Sequence, residues 1–474
     1  MENESFVRTS LVDASADALG VWHHSPGAFR RLVPPWVRYK IIEEPAALKN
    51  GVRSIVKTRL APLVWSKWVA ELKEVTPGGD FSDVQLKGPF AHWYHQHRFI
   101  AQGSEKSQLN DAIEYRLPLG RVGKFFGGWH VERQLAQLFR YRHTITTMDL
   151  KRAREHPVEP LRILVSGASG LVGTALTAFL ETCGHEVLSL TRSPRPGSND
   201  VRWDIGAGEI DLSSVGKIDA VVHLAGENVA GRWTKKKKQR ILSSRRDGTK
   251  LLCEAIARLP TKPAVLVSAS GINYYELDPL NSQDEDSPIG TGFLAEVCRA
   301  WEDNTQAARG AGIRVVNLRI GFVLTPAGGG LKLMLPAFKA GLGGPIGNGR
   351  QRLSWISIDD LTDIIHTCLG DERYEGPVNA VAPEPATNRE FSKALGRTLH
   401  RPAVIPAPAF ALRRLLGEFA KETVLPDLPV YPKRLQENGY EFRFGDLETA
   451  LSHLLGRPAP DHAHQASLSF SPKD

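Results

Sequence analysis

Residues 163–180 read ILVSGASGLVGTALTAFL, and no other stretch restricts the fold as tightly. A short apolar run stops at a glycine, and a helical pattern begins a few residues later. Glycines fall at 167, 170 and 173. At such a junction Gly167 permits a tight turn, Gly170 lets the backbone approach a ligand, and Gly173 lets the helix close on the strand. Amides at the start of the helix point into the turn, which favours an anion there. The pattern calls for a strand–turn–helix unit in a parallel sheet, with a dinucleotide pyrophosphate as the anion that fits.

The residues downstream repeat the alternation. EVLSLTR, AVVHLAG, AVLVSAS and RVVNLRIG are short apolar runs separated by helical stretches. Residues 161–400 therefore read as an α/β Rossmann domain with a doubly wound parallel sheet, and 401–474 as a small C-terminal lobe and tail. The second strand ends in Thr191, Arg192 and Ser193, where an NAD site would place Asp or Glu for the ribose hydroxyls. Arg192 suits a 2′-phosphate, so NADP(H) is favoured over NAD(H). Further cofactor contacts are expected from Ser169, Leu171 and Val172 beside the three glycines, from Leu224, Ala225 and Gly226 in HLAGENV, and from Ser268. Asp204, in WDI, either caps a loop or faces the adenine. The lysines of GRWTKKKKQR read as a solvated helix face, whereas Arg245 of SSRRDGT is placed to reach inward.

The charged, proline-containing stretch 151–160 (KRAREHPVEP) reads as a linker. Ahead of it, 1–150 carries alternating segments typical of antiparallel strands: SFVRTSLV, RSIVKTRL, KWVAELKEV, SDVQLKG, HWYHQHRFI and IEYRLPL. A helical stretch follows the first strand, and a long one, VERQLAQLFRYRHTITTMDLKRAR, closes the segment. This order, with DVQLKGPFAHWYHQHRF and YRLPLG, resembles START-like (polyketide cyclase-like) domains. The resemblance implies an α+β helix-grip domain with a cavity for a hydrophobic ligand. His95 and His97 alternate along one strand and share a face. With no carboxylate or third ligand beside them in sequence, they read as an edge-strand surface or a domain contact, and no metal site is expected.

Other motifs occur in order along 161–455: SGASGLVG, HLAGENVAGRW, SRRDGT, SASGINYY, FLAEVCRAWE, LRIGFVL, GNGRQRLSWISIDDL and RLLGEFAKETVLPDLPVYPKRLQENGYEFRF. Together they resemble the atypical extended short-chain dehydrogenases, the NAD-dependent epimerase/dehydratase-like proteins with a small C-terminal domain. That resemblance implies NADP(H) binding, a small-molecule substrate and an oxidoreductase or epimerase activity. The chain departs from the family pattern at Glu276, Gly292 and Ser357, where Gly, Asp and His are usual.

Carbinol chemistry needs a group to hold the oxygen and a group to move its proton. Ordinary family members use Ser and Tyr-x-x-x-Lys. Here Ser270 fills the serine position, but Leu294 and Cys298 stand where Tyr and Lys are usual, and neither can do those jobs. The proton is left to Ser270, Tyr274 and Tyr275, or a non-catalytic NADP(H)-dependent sensor results. Arg350 and Gln351, in a Gly-rich loop, suit an anionic substrate. One of Asp359 and Asp360 is explained as the N-cap of the helix that follows.

Four separated cysteines imply neither a disulfide framework nor zinc and fit a reducing cytoplasm. No apolar run approaches the roughly 20 residues needed to span a bilayer. The net charge of +8 is read as scattered surface lysine rather than nucleic-acid binding, because no binding motif accompanies it.

Overall fold

The computed structural model describes residues 3–460 other than 46, 62, 63, 119, 196 and 214. The last part of the segment read as lobe and tail, 461–474, lies outside the described residues. The chain divides into two compact units. The first comprises Met1–Val158 with Ala178–Gly184 and Leu454–Arg457, and the second comprises the remainder.

The first unit is built on a seven-stranded antiparallel sheet. Its elements are β1 (Glu4–Val12), α1 (Ala16–His24), α2 (Ala28–Arg31), β2 (Tyr39–Glu43), β3 (Arg53–Ala61), β4 (Val64–Lys73), β5 (Phe81–Lys87), β6 (His92–Ala101), β7 (Ser107–Arg116) and α3 (Gly120–Glu155). The strands lie in the order β1-β7-β6-β5-β4-β3-β2. Alternation along β6 and β7 buries every second side chain, the period of a sheet with one covered face. Val12, Leu19, Trp22, Phe81, Phe99, Leu109 and Ile145 form one core cluster, and Trp93, Ile113, Tyr115, Leu135 and Phe139 form another. Buried Arg31 grips Asp149 of α3 through two hydrogen bonds of 2.8 and 3.0 Å.

Three differences from the sequence reading have local causes. Strand β2, five residues between Pro35 and Pro45, was too short to register as a strand. Helix α3 begins at Gly120 rather than near Val131, because Gly123, Gly127 and Gly128 blur the helical signal, and it continues to Glu155, into the stretch read as linker. His95 and His97 do not lie on an edge strand or an exposed contact face. They are 2% and 7% exposed on the interior strand β6, opposite Asp83 of β5 and Asp111 of β7 respectively.

The second unit contains an eight-stranded sheet in the order β11-β10-β9-β8-β12-β13-β14-β18. Its elements run β8 (Arg162–Ser166), α4 (Leu171–Thr182), β9 (Glu186–Thr191), β10 (Asp200–Asp204), β11 (Glu209–Ile210), β12 (Ala220–His223), α5 (Lys235–Ala257) and β13 (Val265–Gly271). They continue with α6 (Phe293–Asp303), α7 (Gln306–Gly310), β14 (Arg314–Ile320), β15 (Phe322–Leu324), α8 (Gly329–Lys339), β16 (Arg352–Leu353), β17 (Trp355–Ser357), α9 (Ile358–Gly370) and β18 (Gly376–Ala380). All pairs in the large sheet are parallel except β10 with β11. The order reverses between β8 and β12, and the crevice at such a switch point is where parallel sheets of this kind take ligands. Strand β18, GPVNA, escapes a sequence reading because a proline and an asparagine interrupt its apolar pattern. No helix among the described residues is long and apolar enough to cross a membrane.

Helix α9 is capped by Ser357, whose Oγ accepts from the amide of Asp360 at 2.9 Å. The expected aspartate cap is therefore a serine, because both aspartates are buried within the first turn and serve the C-terminal segment. Asp360 accepts from the amides of Arg443 and Phe444. Asp363 accepts from Tyr440 Oη at 2.6 Å and from Arg443 at 3.0 Å. Both side chains of the Arg443–Asp363 pair are buried, at 4% and 0% exposure. Removing one partner strands the other charge. Arg443→Ala is expected to cost about 3 kcal/mol in urea denaturation, and a loss under about 1 kcal/mol would show that Asp363 does not anchor this segment.

Candidate functional site

The turn after β8 is shaped by backbone contact. Gly167 has φ +73°, and a Cβ there would stand 2.9 Å from Leu224 C and Ala225 N. A Cβ on Gly173 would stand 2.1 Å from Gly167 O, so any larger residue forces the helix off the strand. Gly170 N donates to Gly167 O at 2.9 Å. Ser169, Gly170 and Leu171 are exposed and Val172 is half-buried, so the turn and the first amides of α4 are open to a ligand.

Beneath the turn lies a network that the sequence reading missed. Ser166 Oγ accepts from the amides of Leu224 and Ala225 at 3.2 and 3.3 Å and meets His223 Nδ1 at 2.6 Å. An oxygen that accepts two amides gives its own hydrogen to Nδ1, which leaves the His223 proton on Nε2, 3.0 Å from Thr249 Oγ1. Burial, with the Arg245 cation nearby, holds His223 down at about 3. A histidine ending a buried strand was the only sequence signal for this network. Arg245 does turn inward. It donates to Glu227 O at 2.9 Å, lies 4.6 Å over the Trp301 ring, and sits where a Cβ on Gly226 would meet it at 3.0 Å. Burial lowers its pKa to about 10.

Arg192 is exposed at the end of β9 and makes no hydrogen bond or ion pair among the described residues, whereas nearby Arg195 is committed to Asp200. Asp204 caps its own loop, its Oδ1 accepting from the amides of Gly206 and Ala207. Ser268 is buried in β13 in register with His223, and its Oγ makes no hydrogen bond among the described residues.

The end of β13 carries a chain of polar contacts. Ser270 Oγ donates to Glu302 Oε1 at 2.8 Å. Glu302 is held by Arg319 through two hydrogen bonds of 2.9 Å. Arg319 also donates to Tyr275 Oη at 2.9 Å, and that hydroxyl donates to Asn379 Oδ1 at 2.7 Å. Tyr275 is fully buried, and burial pushes its phenol above the ordinary tyrosine range. Tyr274 is half-buried, with the Arg319 guanidinium 3.5 Å from its ring centre. Ser270, Tyr274 and Tyr275 are thus joined through Arg319, but only Ser270 and Tyr274 keep polar atoms with capacity for a ligand.

Helix α6 buries Leu294 among Trp233, Ile241, Phe293 and Val297. The Cys298 thiol is buried against Gly271 O, and burial pushes it up to about 11. Gly292 cannot cap this helix by a side chain. Glu422 does so from the C-terminal segment, accepting from the amides of Phe293 and Leu294 at 3.2 and 2.8 Å. Glu276, the other departure, accepts from Thr291 through its carboxylate. A shallow cavity of about 490 Å³ opens here, lined by Lys238, Leu242, Phe293, Glu296 and Glu422 among others. In the Gly-rich loop the Arg350 side chain is exposed without a partner among the described residues. Gln351 pins the loop by donating to Ile346 O. No hydrogen bond among the described residues ties this loop to Ser270 or Tyr274.

The model of the NAD dependent epimerase/dehydratase family matches residues 163–380, and that of a domain of unknown function, DUF1731, matches 407–454. An epimerase family protein of Mycobacterium bovis is 39% identical over 297 residues, which are 62% of this chain and 98% of the relative. The chain belongs to the NAD dependent epimerase/dehydratase family. Its likeness to the human epimerase family protein SDR39U1, solved with NADPH, has a TM-score of 0.58 at 37% identity over 62% of this chain and 99% of that one. A structure described as a nucleoside-diphosphate sugar epimerase from Corynebacterium glutamicum matches both units, with a TM-score of 0.78 at 32% identity over 99% of this chain and 94% of that one.

The buried histidines set an acid limit on this fold. His185, whose Nε2 lies 2.9 Å from His366 Nε2, is held at about 3 by burial and by that neighbour. For His185 and His223 the folded value lies below the unfolded value of 6.5. Their contribution is therefore complete above pH 6.5 and is lost as pH falls towards 3, at up to about 1.4 kcal/mol per pH unit for each ring. Urea midpoints measured from pH 7.5 down to 5 are expected to fall, and less steeply in His185→Gln. A flat profile would contradict neutral buried rings.

Proposed function

We propose that this chain binds NADP(H) and acts as an oxidoreductase or epimerase on a small molecule carrying a carbinol. The carrying observation is the pairing of an open glycine turn, where a Cβ on Gly173 would strike Gly167 O, with an Arg192 that has no partner among the described residues, at a strand end that lacks a carboxylate. The first suits a pyrophosphate and the second a 2′-phosphate. The NADPH in the human relative's structure supports the same choice. In this reading Gly167–Gly173 cradles the phosphates, and Leu224, Ala225, Gly226 and Ser268 wall the crevice. Asp204 shapes the loop beside it, and Arg350 meets an anionic group on the substrate.

Bound NADP⁺ supplies a hydride acceptor for the carbinol carbon. The chain must hold the oxygen and take its proton. Ser270 donates to Glu302, which leaves the serine oxygen free to accept the substrate hydroxyl. As the substrate proton reaches Ser270, the serine proton passes to Glu302, which Arg319 keeps in line. Tyr274, whose hydroxyl makes no hydrogen bond among the described residues, is assigned to steady the oxygen. Tyr275, with its hydroxyl occupied by Arg319 and Asn379, is assigned a positioning role. A carboxylate clamped by arginine is a weaker base than a tyrosinate beside lysine, so turnover is expected to be slow. A second reading, an NADP(H)-dependent sensor without turnover, draws on the buried, proton-inert Leu294 and Cys298. For the first unit we propose a helix-grip, START-like domain that takes a hydrophobic ligand. Support comes from its seven antiparallel strands followed by a 36-residue helix.

Nucleotide fluorescence titration tests the cofactor. Arg192→Ala is expected to weaken NADPH about tenfold to a hundredfold, the value of a lost charge-assisted contact, and to leave NADH unchanged. Equal loss for both nucleotides would sink the phosphate assignment. Among nucleotide sugars and simple carbinols, turnover should fall about 10²-fold or more in Ser270→Ala and in Glu302→Gln with NADPH binding retained. Turnover that survives both substitutions would refute the proton route, and no turnover by the unaltered chain would favour the sensor.

A further inference from the structure

We propose that the first unit holds a first-row divalent transition-metal ion on Asp83, His95 and His97. One donor atom from each residue lies within 4.8 Å of a donor from each of the others. Asp83 Oδ2 is hydrogen-bonded to His95 Nδ1 at 3.0 Å, through a proton that a bound ion would displace, and stands 4.0 Å from His97 Nε2. Donors bound about 2.0 to 2.2 Å from such an ion stand about 3 to 3.6 Å from one another, so small side-chain shifts close the set. The sheet register produces it. His95 and His97 share the covered face of β6, and Asp83 lies directly across from His95 on β5.

The second observation is the state of His97. His97 is 7% exposed, its Nδ1 lies 2.7 Å from Asp111 Oδ1, and its Nε2, 4.0 Å from Asp83 Oδ2, makes no hydrogen bond among the described residues. A buried imidazole that turns one nitrogen to a carboxylate keeps its far nitrogen available for a metal bond. The surroundings supply the usual outer support. Asp111 Oδ1 also meets His95 Nε2 at 3.0 Å, and its Oδ2 meets His143 Nε2 at 2.7 Å, with Ser10 Oγ behind at 2.9 Å. Metal-bound histidines almost always turn the other nitrogen to a carboxylate in this way. The Trp93 indole steadies Asp83 Oδ1 at 3.3 Å, and Phe81 stacks on His97 with ring centres 4.2 Å apart. Two imidazoles and one carboxylate are the donors that zinc, ferrous iron or cobalt accept, and they leave positions open for water or a ligand. Asp83 and Asp111 together balance the charge of a divalent ion.

The test uses the full chain, stripped with a chelator and titrated with Co²⁺. One equivalent should produce d–d absorption bands in the visible, and Zn²⁺ should displace them. Asp111→Asn removes no ligand and is expected to weaken binding about tenfold to a hundredfold. His97→Ala should abolish the bands, while His130→Ala, on the exposed face of α3, should leave the stoichiometry at one. Circular dichroism confirms the fold of each variant. Absence of saturable Co²⁺ and Zn²⁺ binding by the unaltered chain overturns the proposal without reference to any variant. Bands that persist in His97→Ala overturn the ligand set.

Discussion

The ion pair between Glu302 and Arg319 is the point on which the second unit turns. Its side chains are 11% and 4% exposed, so neither charge is dissolved in water. A buried pair of this kind holds only if every remaining hydrogen-bonding position is filled. Here Arg319 makes a two-pronged contact with the carboxylate and a third bond to Tyr275, which passes it on to Asn379. The chain thereby ties α6 to the ends of β13, β14 and β18. The same carboxylate holds Ser270. Hydrogen bonds to Glu302 outweigh the effect of burial and keep Arg319 charged. The machinery of the site and the clamp that closes the sheet are one network.

The glycine turn imposes the second constraint. Its glycines are required by distance, since the strand ends at Leu224 and Ala225 lie against Gly167 and the helix lies against its carbonyl. Ser166 and neutral His223 then fix the two strand ends to each other below the turn.

In the first unit the spacing of His95 and His97 was legible, and so was their common face. Their partners were not. Asp83 and Asp111 belong to neighbouring strands, and only antiparallel register sets them opposite the two histidines. His95 is balanced between the two carboxylates, its Nδ1 3.0 Å from Asp83 and its Nε2 3.0 Å from Asp111. No window of sequence contains that balance.

Periodicity and glycine spacing are local properties, so the sequence alone determined the parallel α/β sheet, the glycine turn, Arg192 at its strand end and the alternating strands before it. It also marked Leu294 and Cys298 as unable to move a proton. Tertiary structure decided which polar groups pair. It gave Tyr275 to Asn379 and Arg319, leaving Tyr274 as the half-buried tyrosine. It replaced an aspartate cap by Ser357 on α9 and supplied Glu422 where Gly292 has no side chain. These contacts join residues up to 128 positions apart, as Leu294 and Glu422 are. The reason is physical: a hydrogen bond or ion pair depends on a few ångströms and a direction, and folding alone fixes those for residues distant in the chain.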